Sequence, residues 1–178
     1  MREGLLAMSS LSTKEARSAL SDLVKQHAVR AQWVWAQLGE SPLAQGVVHL
    51  GNMLLAMEKG MDSSSWATLS KAYLDHGWRV DAGAREAYAA VAKARDAAGA
   101  SNAVAAALRA VYLPWMEESA TRCQQMADQY PKRGAADAFR FTPKPGSILL
   151  FVDGLRADLG VELATLLEDQ NITVNRHE

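Results

Sequence analysis

Gly146-Ser-Ile-Leu-Leu-Phe-Val-Asp-Gly-Leu-Arg-Ala-Asp-Leu-Gly160 decides how the chain is read. Ile148 to Val152 run without a polar interruption and stop at Asp153-Gly154. A short apolar run bounded by turn residues reads as a buried strand of a parallel sheet. Leu155, Leu159, Leu163, Leu166 and Leu167 then recur at helical spacing. Strand, tight turn and helix open a βαβ unit. Asn171-Ile-Thr-Val-Asn175 reads as the first residues of the second strand. In open α/β sheets the ligand crevice lies outside the carboxyl ends of the strands, where Asp153 is expected. Two strands and one helix cannot cover both faces of a sheet, so the chain is expected to be a piece of a longer protein.

Upstream the pattern is helical. Residues 1–12 are weakly patterned and read as loop. Ser12-Thr13, with Glu15 behind, reads as a capping box opening a helix that keeps apolar spacing to Gly39. Ser41-Pro42 restarts the pattern, and Leu43, Val47, Leu50, Leu54 and Met57 carry it to Gly60. Gly46 and Gly51 weaken that helix by about 1 kcal/mol each and allow close helix packing. After a turn at Asp62–Ser65 a third helix starts at Trp66, with Gly77-Trp78 as a break or a run-through. Ala98-Gly-Ala-Ser-Asn102 reads as the next break, before a helix kinked at Pro114 that reaches Tyr130. The expected organisation is therefore mainly α. A helical bundle-like region spans 1–130, a proline-bearing connector 131–146, and a truncated β-α-β start of an α/β domain 147–178.

Composition narrows the chemistry. A net charge of -1 with scattered Lys and Arg gives no nucleic-acid footprint, so direct nucleic-acid binding is not expected. Cys123 is the single cysteine, which rules out an internal disulfide and suits a reducing cytoplasm. No apolar run is long enough to span a membrane, and Leu5 to Met8 is too short for a signal peptide.

Asp153 is the leading candidate for chemistry. A carboxylate at a strand end beside Gly154 suits a hard cation or a phosphate-bound metal; equally, Asp-Gly makes the turn and Asp153 caps the helix. Arg156 and Asp158 lie in the first helical turn, as a solvated pair or as contacts to an anionic substrate. His27, His49, His76 and His177 do not form a ligand set, and Cys123 has no metal partner nearby in sequence. Trp33, Trp35, Trp66, Trp78 and Trp115 read as anchors buried between helices.

Phe151-Val-Asp-Gly-Leu-Arg-Ala-Asp-Leu159 resembles the first metal-ligand motif of the alkaline phosphatase superfamily. Trp33-Val-Trp-Ala-Gln-Leu-Gly-Glu-Ser-Pro-Leu43, Tyr73-Leu-Asp-His-Gly-Trp-Arg-Val-Asp81 and Val111-Tyr-Leu-Pro-Trp115 look like the helical region before the catalytic domain of PglZ proteins. Lys144-Pro-Gly-Ser-Ile-Leu-Leu-Phe-Val-Asp-Gly-Leu-Arg156 looks like that domain's entry. The resemblance implies a metal-dependent phosphate-ester hydrolase of a bacteriophage-exclusion (BREX) phage-defence system. Its partners would include a DNA methyltransferase and an ATPase. Asp153 would be the first ligand of a divalent metal site, usually zinc in the superfamily. The nucleophile and remaining ligands of the family pattern are not found here, so this chain alone is expected to be inactive and to bind no metal tightly. The alternative is a non-catalytic helical interaction module of the same complex.

Overall fold

The computed structural model describes residues 1–129, 146 and 152–174. The chain divides into two compact units, Met1–Arg122 and Cys123–Glu178.

The first unit is helical. Its amino terminus departs from the loop expected there. Helix α1 (Arg2–Ala7) runs into a 3-10 turn, Met8–Ser10, and Leu5 and Met8 are buried. So short an apolar stretch carries no readable period, but two core side chains and close approach suffice to dock the segment. A Cβ on Gly4 would lie 2.7 Å from Leu23 Cδ1.

Helix α2 (Thr13–His27) opens on the expected capping box. The Ser12 N–H donates to Glu15 Oε2 at 3.0 Å, and the Glu15 N–H donates to Ser12 Oγ at 3.4 Å. The helix does not reach Gly39. It tightens into a 3-10 turn at Ala28–Gln32, Trp33 is extended (φ -72, ψ 151), and a single turn, α3 (Val34–Gln37), follows. Helix α4 (Pro42–Glu58) begins with proline in the first turn, where no N–H is missed.

Ser65 caps α5 (Trp66–Ala72) through Thr68. A π turn, Tyr73–Gly77, carries the chain without a break into α6 (Trp78–Val91), so Gly77-Trp78 is a run-through. The next break lies at residues 92–96, not at Ala98–Asn102. Asp96 Oδ1 accepts the Gly99 N–H at 3.0 Å at the start of α7 (Ala97–Gln129), while Arg2 Nη1 donates to Asp96 Oδ2 at 2.7 Å. Those two donors, the Gly99 amide first, hold the Asp96 carboxyl below the usual carboxylate range. Alanine propensity outweighs the Gly-Ser-Asn signal once the cap is supplied upstream. Helix α7 runs through Pro114 as one element.

Helix α4 is central to the core. Val47, Leu50 and Met53 are buried with Leu20 of α2, Val80, Ala87 and Val91 of α6, and Val104 and Val111 of α7. The α4–α6 contact is close because small residues meet there. A Cβ on Gly83 would fall 2.9 Å from the His49 carbonyl oxygen and 3.0 Å from the Met53 nitrogen. Gly46 faces Val91 in the same way, at 3.1 Å, and Gly51 faces Val24 of α2 at 2.8 Å.

In the second unit the last residues of α7 and α8 (Ala157–Asp169) are the described helical elements. Helix α8 forms where the leucine spacing placed it. The strand expected at 147–152 lies, apart from Val152, outside the described residues, as do 131–145 of the connector. The second strand is corrected as far as it is described: no residue of Asn171–Val174 is a strand. Asn171 has a positive φ of 60°, and the Ile172 N–H returns to the Leu167 carbonyl at 3.0 Å, a helix-stop geometry. No β-α-β unit is present among the described residues.

A methyl group at position 83 would press on backbone in α4 that cannot swing aside. Gly83→Ala is expected to destabilise the first unit by about 1–3 kcal/mol despite the better helix propensity of alanine. The helical melting midpoint, followed by circular dichroism, then falls by roughly 2–10 °C.

Candidate functional site

Asp153 and Gly154 form a turn three residues before α8. Gly154 has φ +66, a left-handed conformation that glycine adopts without the Cβ penalty. Asp153 is exposed. It does not cap the helix, because the capping position is Arg156 (φ -69, ψ 144). The Asp153 side chain makes no hydrogen bond or ion pair among the described residues.

Arg156 and Asp158, expected as a solvated pair, do meet, but not in solvent. Arg156 Nε donates to Asp158 Oδ1 at 3.0 Å, and the Asp158 side chain is fully buried. A buried carboxylate in the first turn of α8 is favoured by the helix dipole and held by a charge-assisted bond. Spacing in the chain accounts for the contact; the burial is not legible from it. The leucine stripe also departs from expectation. Leu155, Leu159, Leu163 and Leu166 are exposed, while Ala164 is buried.

Among the described residues no group of three or more His, Cys, Asp or Glu can hold a metal ion. One carboxylate falls short of the roughly four ligands that zinc takes. The described residues by themselves do not make up a metal centre, and no catalytic step is written through one.

The described histidines lie on separate elements, His27 on α2, His49 on α4 and His76 in the π turn. His49 Nδ1 lies 2.8 Å from Glu86 Oε2 across the α4–α6 contact, and His76 Nε2 lies 2.7 Å from the Gly60 carbonyl oxygen. Burial, then the amino-terminal charge and Arg30, hold the His27 imidazole below its ordinary value. His177 lies outside the described residues. A groove of about 470 Å³ beside α4 and α6 is lined by Asn52, Lys59, His76, Trp78, Arg79 and Glu86, among others. It is open, and its charges are mixed.

Asp81 forms a junction that pattern reading missed. Tyr73 donates to Asp81 Oδ2 at 2.6 Å and Tyr112 donates to Oδ1, so one carboxylate ties the π turn, α6 and α7 together. Tyr73 and Asp81 lie eight residues apart on one helical run, a spacing that the extra residue of the π turn brings into register.

The tryptophan expectation is overturned for two of the five. Trp115 stacks on Tyr112 at 6.0 Å and packs against the core. Trp33 and Trp35, however, are exposed, along with Val29, Val34 and Leu38. The cause is local. Ala36 is the buried residue of α3, and Gln45 Nε2 donates to its carbonyl at 2.9 Å. Anchored on that side, a single turn must point its neighbours outward. At about 25 cal/mol per Å² and about 200 Å² for a buried tryptophan, each half-exposed ring forgoes about 2–3 kcal/mol of burial.

No helix of the described residues is long and apolar enough to cross a membrane. No family model, curated protein or solved structure matches this chain.

Removing the guanidinium would leave the Asp158 carboxylate buried with fewer donors. Arg156→Ala is expected to weaken the start of α8 by about 1–3 kcal/mol. Amide hydrogen exchange across 157–169 should then quicken by about ten- to a hundredfold, with α4 and α6 unchanged.

Proposed function

We propose that this chain is the helical region and domain entry of a PglZ-type, metal-dependent phosphate-ester hydrolase of a phage-defence system, inactive by itself. The observation that supports the reading is the Asp153–Gly154 turn leading into α8 with its leucine stripe uncovered. An α/β hydrolase needs an acidic ligand on such a turn and a helix whose apolar face packs on the sheet. Asp153 would serve as one ligand of a divalent metal that neutralises phosphoryl charge, with the other ligands supplied beyond the described residues. The Arg156–Asp158 bond would set the start of the helix behind it. The test is Asn in place of the aspartate that corresponds to Asp153 in a complete PglZ protein carrying this motif. Metal-dependent hydrolysis of bis(p-nitrophenyl) phosphate should fall by about a hundredfold or more with the fold intact. Unchanged turnover removes Asp153 from the chemistry.

A second reading is a helical interaction module, favoured by the exposed tryptophans at 33 and 35. It expects the full chain to co-purify with the methyltransferase or ATPase component of the same system, and Asp153→Asn to leave that capture unchanged. Capture lost with Asp153→Asn alone would count against it.

A further inference from the structure

We propose that the apolar face between Val29 and Leu38 is a docking surface for an acidic amphipathic helix of a partner protein; this rests on the second reading above. Trp33, Val34 and Trp35 are consecutive and 49%, 63% and 63% exposed, and Leu38 is 68% exposed. An uninterrupted exposed apolar run beside a well-formed core marks an interaction surface. The residues are held in place, since Ala36 is buried and its carbonyl is bonded to Gln45. A rigid aromatic face needs little ordering on binding.

The rim selects the partner's charge. Arg30 lies over the Trp33 ring at 5.6 Å from its centroid. Directly after Leu38, a hollow of about 410 Å³ is lined by Gly39, Glu40, Pro42, Lys93 and Arg95. Arg95 pairs with Glu40 at 3.1 Å, which leaves Arg30 and Lys93 with no carboxylate partner among the described residues. Arg30 against Trp33 and Lys93 in the hollow after Leu38 favour carboxylates on the incoming surface. A second copy would bring the same cations against themselves. An anionic bilayer that took up Leu38 would draw the Glu40 carboxylate toward lipid phosphates.

The backbone selects the partner's form. Residues 28–37 are helical turns apart from Trp33, and no strand edge is present among the described residues to add a strand to. Docking must therefore proceed through side chains, which suits a helix that satisfies its own backbone and offers apolar residues at i, i+4 and i+7.

The test uses the full chain and a designed helical peptide with leucines at i, i+4, i+7 and i+11 flanked by glutamates. Its binding is followed by tryptophan emission and calorimetry. The glutamate peptide is expected to bind and to shift the emission to the blue. Trp35→Ala, which removes a side chain lying outside the core, should weaken binding at least about tenfold with the melting midpoint unchanged. Arg30→Glu with Lys93→Glu should weaken it similarly, as should added salt. The proposal is overturned by equal binding of a lysine-flanked counterpart, by no binding of either peptide, by preferential binding to phosphatidylserine vesicles, or by a dimer in sedimentation that Trp35→Ala abolishes. Capture of a defence component that Trp35→Ala leaves unchanged overturns this surface while the second reading stands. Glutamate-peptide binding without any captured component keeps the surface and removes that reading.

Discussion

The close approach of α4 and α6 is the constraint on which the first unit depends. Gly83 sits where a single added carbon would touch backbone in α4, and Gly46 repeats the arrangement nearer the start of α4, against Val91. Val47, Leu50 and Met53 of α4 share one buried cluster with Val80, Ala87 and Val91 of α6. Helices α2 and α7 then close over a seam whose width is already set. Glycine costs helix propensity at each of these positions, and dispersion attraction along the two facing helices offsets that cost.

With α4 fixed, the short elements before it have little freedom. Gln45 reaches from α4 to the Ala36 carbonyl and so determines which side of α3 faces inward. The exposed tryptophans are thus a consequence of core geometry and are not a defect in an otherwise loose segment. The same economy of contacts appears at the amino terminus, where Leu5, Met8 and the Arg2–Asp96 pair dock α1 beside the start of α7.

Much of the first unit was legible in the sequence, for identifiable reasons. The Ser12–Glu15 box, Pro42 at a helix start and the leucine spacing of α4 are local signals, as is that of α8 in the second unit, and local physics decided them. What escaped depended on partners distant in the chain. Asp96 caps α7 while engaging Arg2, so the break falls upstream of the Gly-Ser-Asn stretch that resembles one. Trp33 and Trp35 have the composition of core residues, and only the burial of Ala36 beside them reveals that they face out. Before α8, the Asp153–Gly154 bend and the Arg156–Asp158 pair follow from spacing. The full burial of Asp158 and the uncovered leucines do not, because solvent exposure is a property of neighbours.

The π turn at Tyr73–Gly77 joins α5 and α6 into one unbroken rod. One residue more than a regular turn slips the phase of that rod by about 100°. The helical wheel drawn for Trp78–Val91 therefore does not extend back to Trp66–Ala72, and each half keeps its own inward meridian. Losing one residue there would leave an ordinary α-helix with both meridians in place, whereas regularising the turn with every residue kept would swing α5 by about 100° around its axis relative to α6. The wider hydrogen bonding of this one turn acts as the setting of a dial.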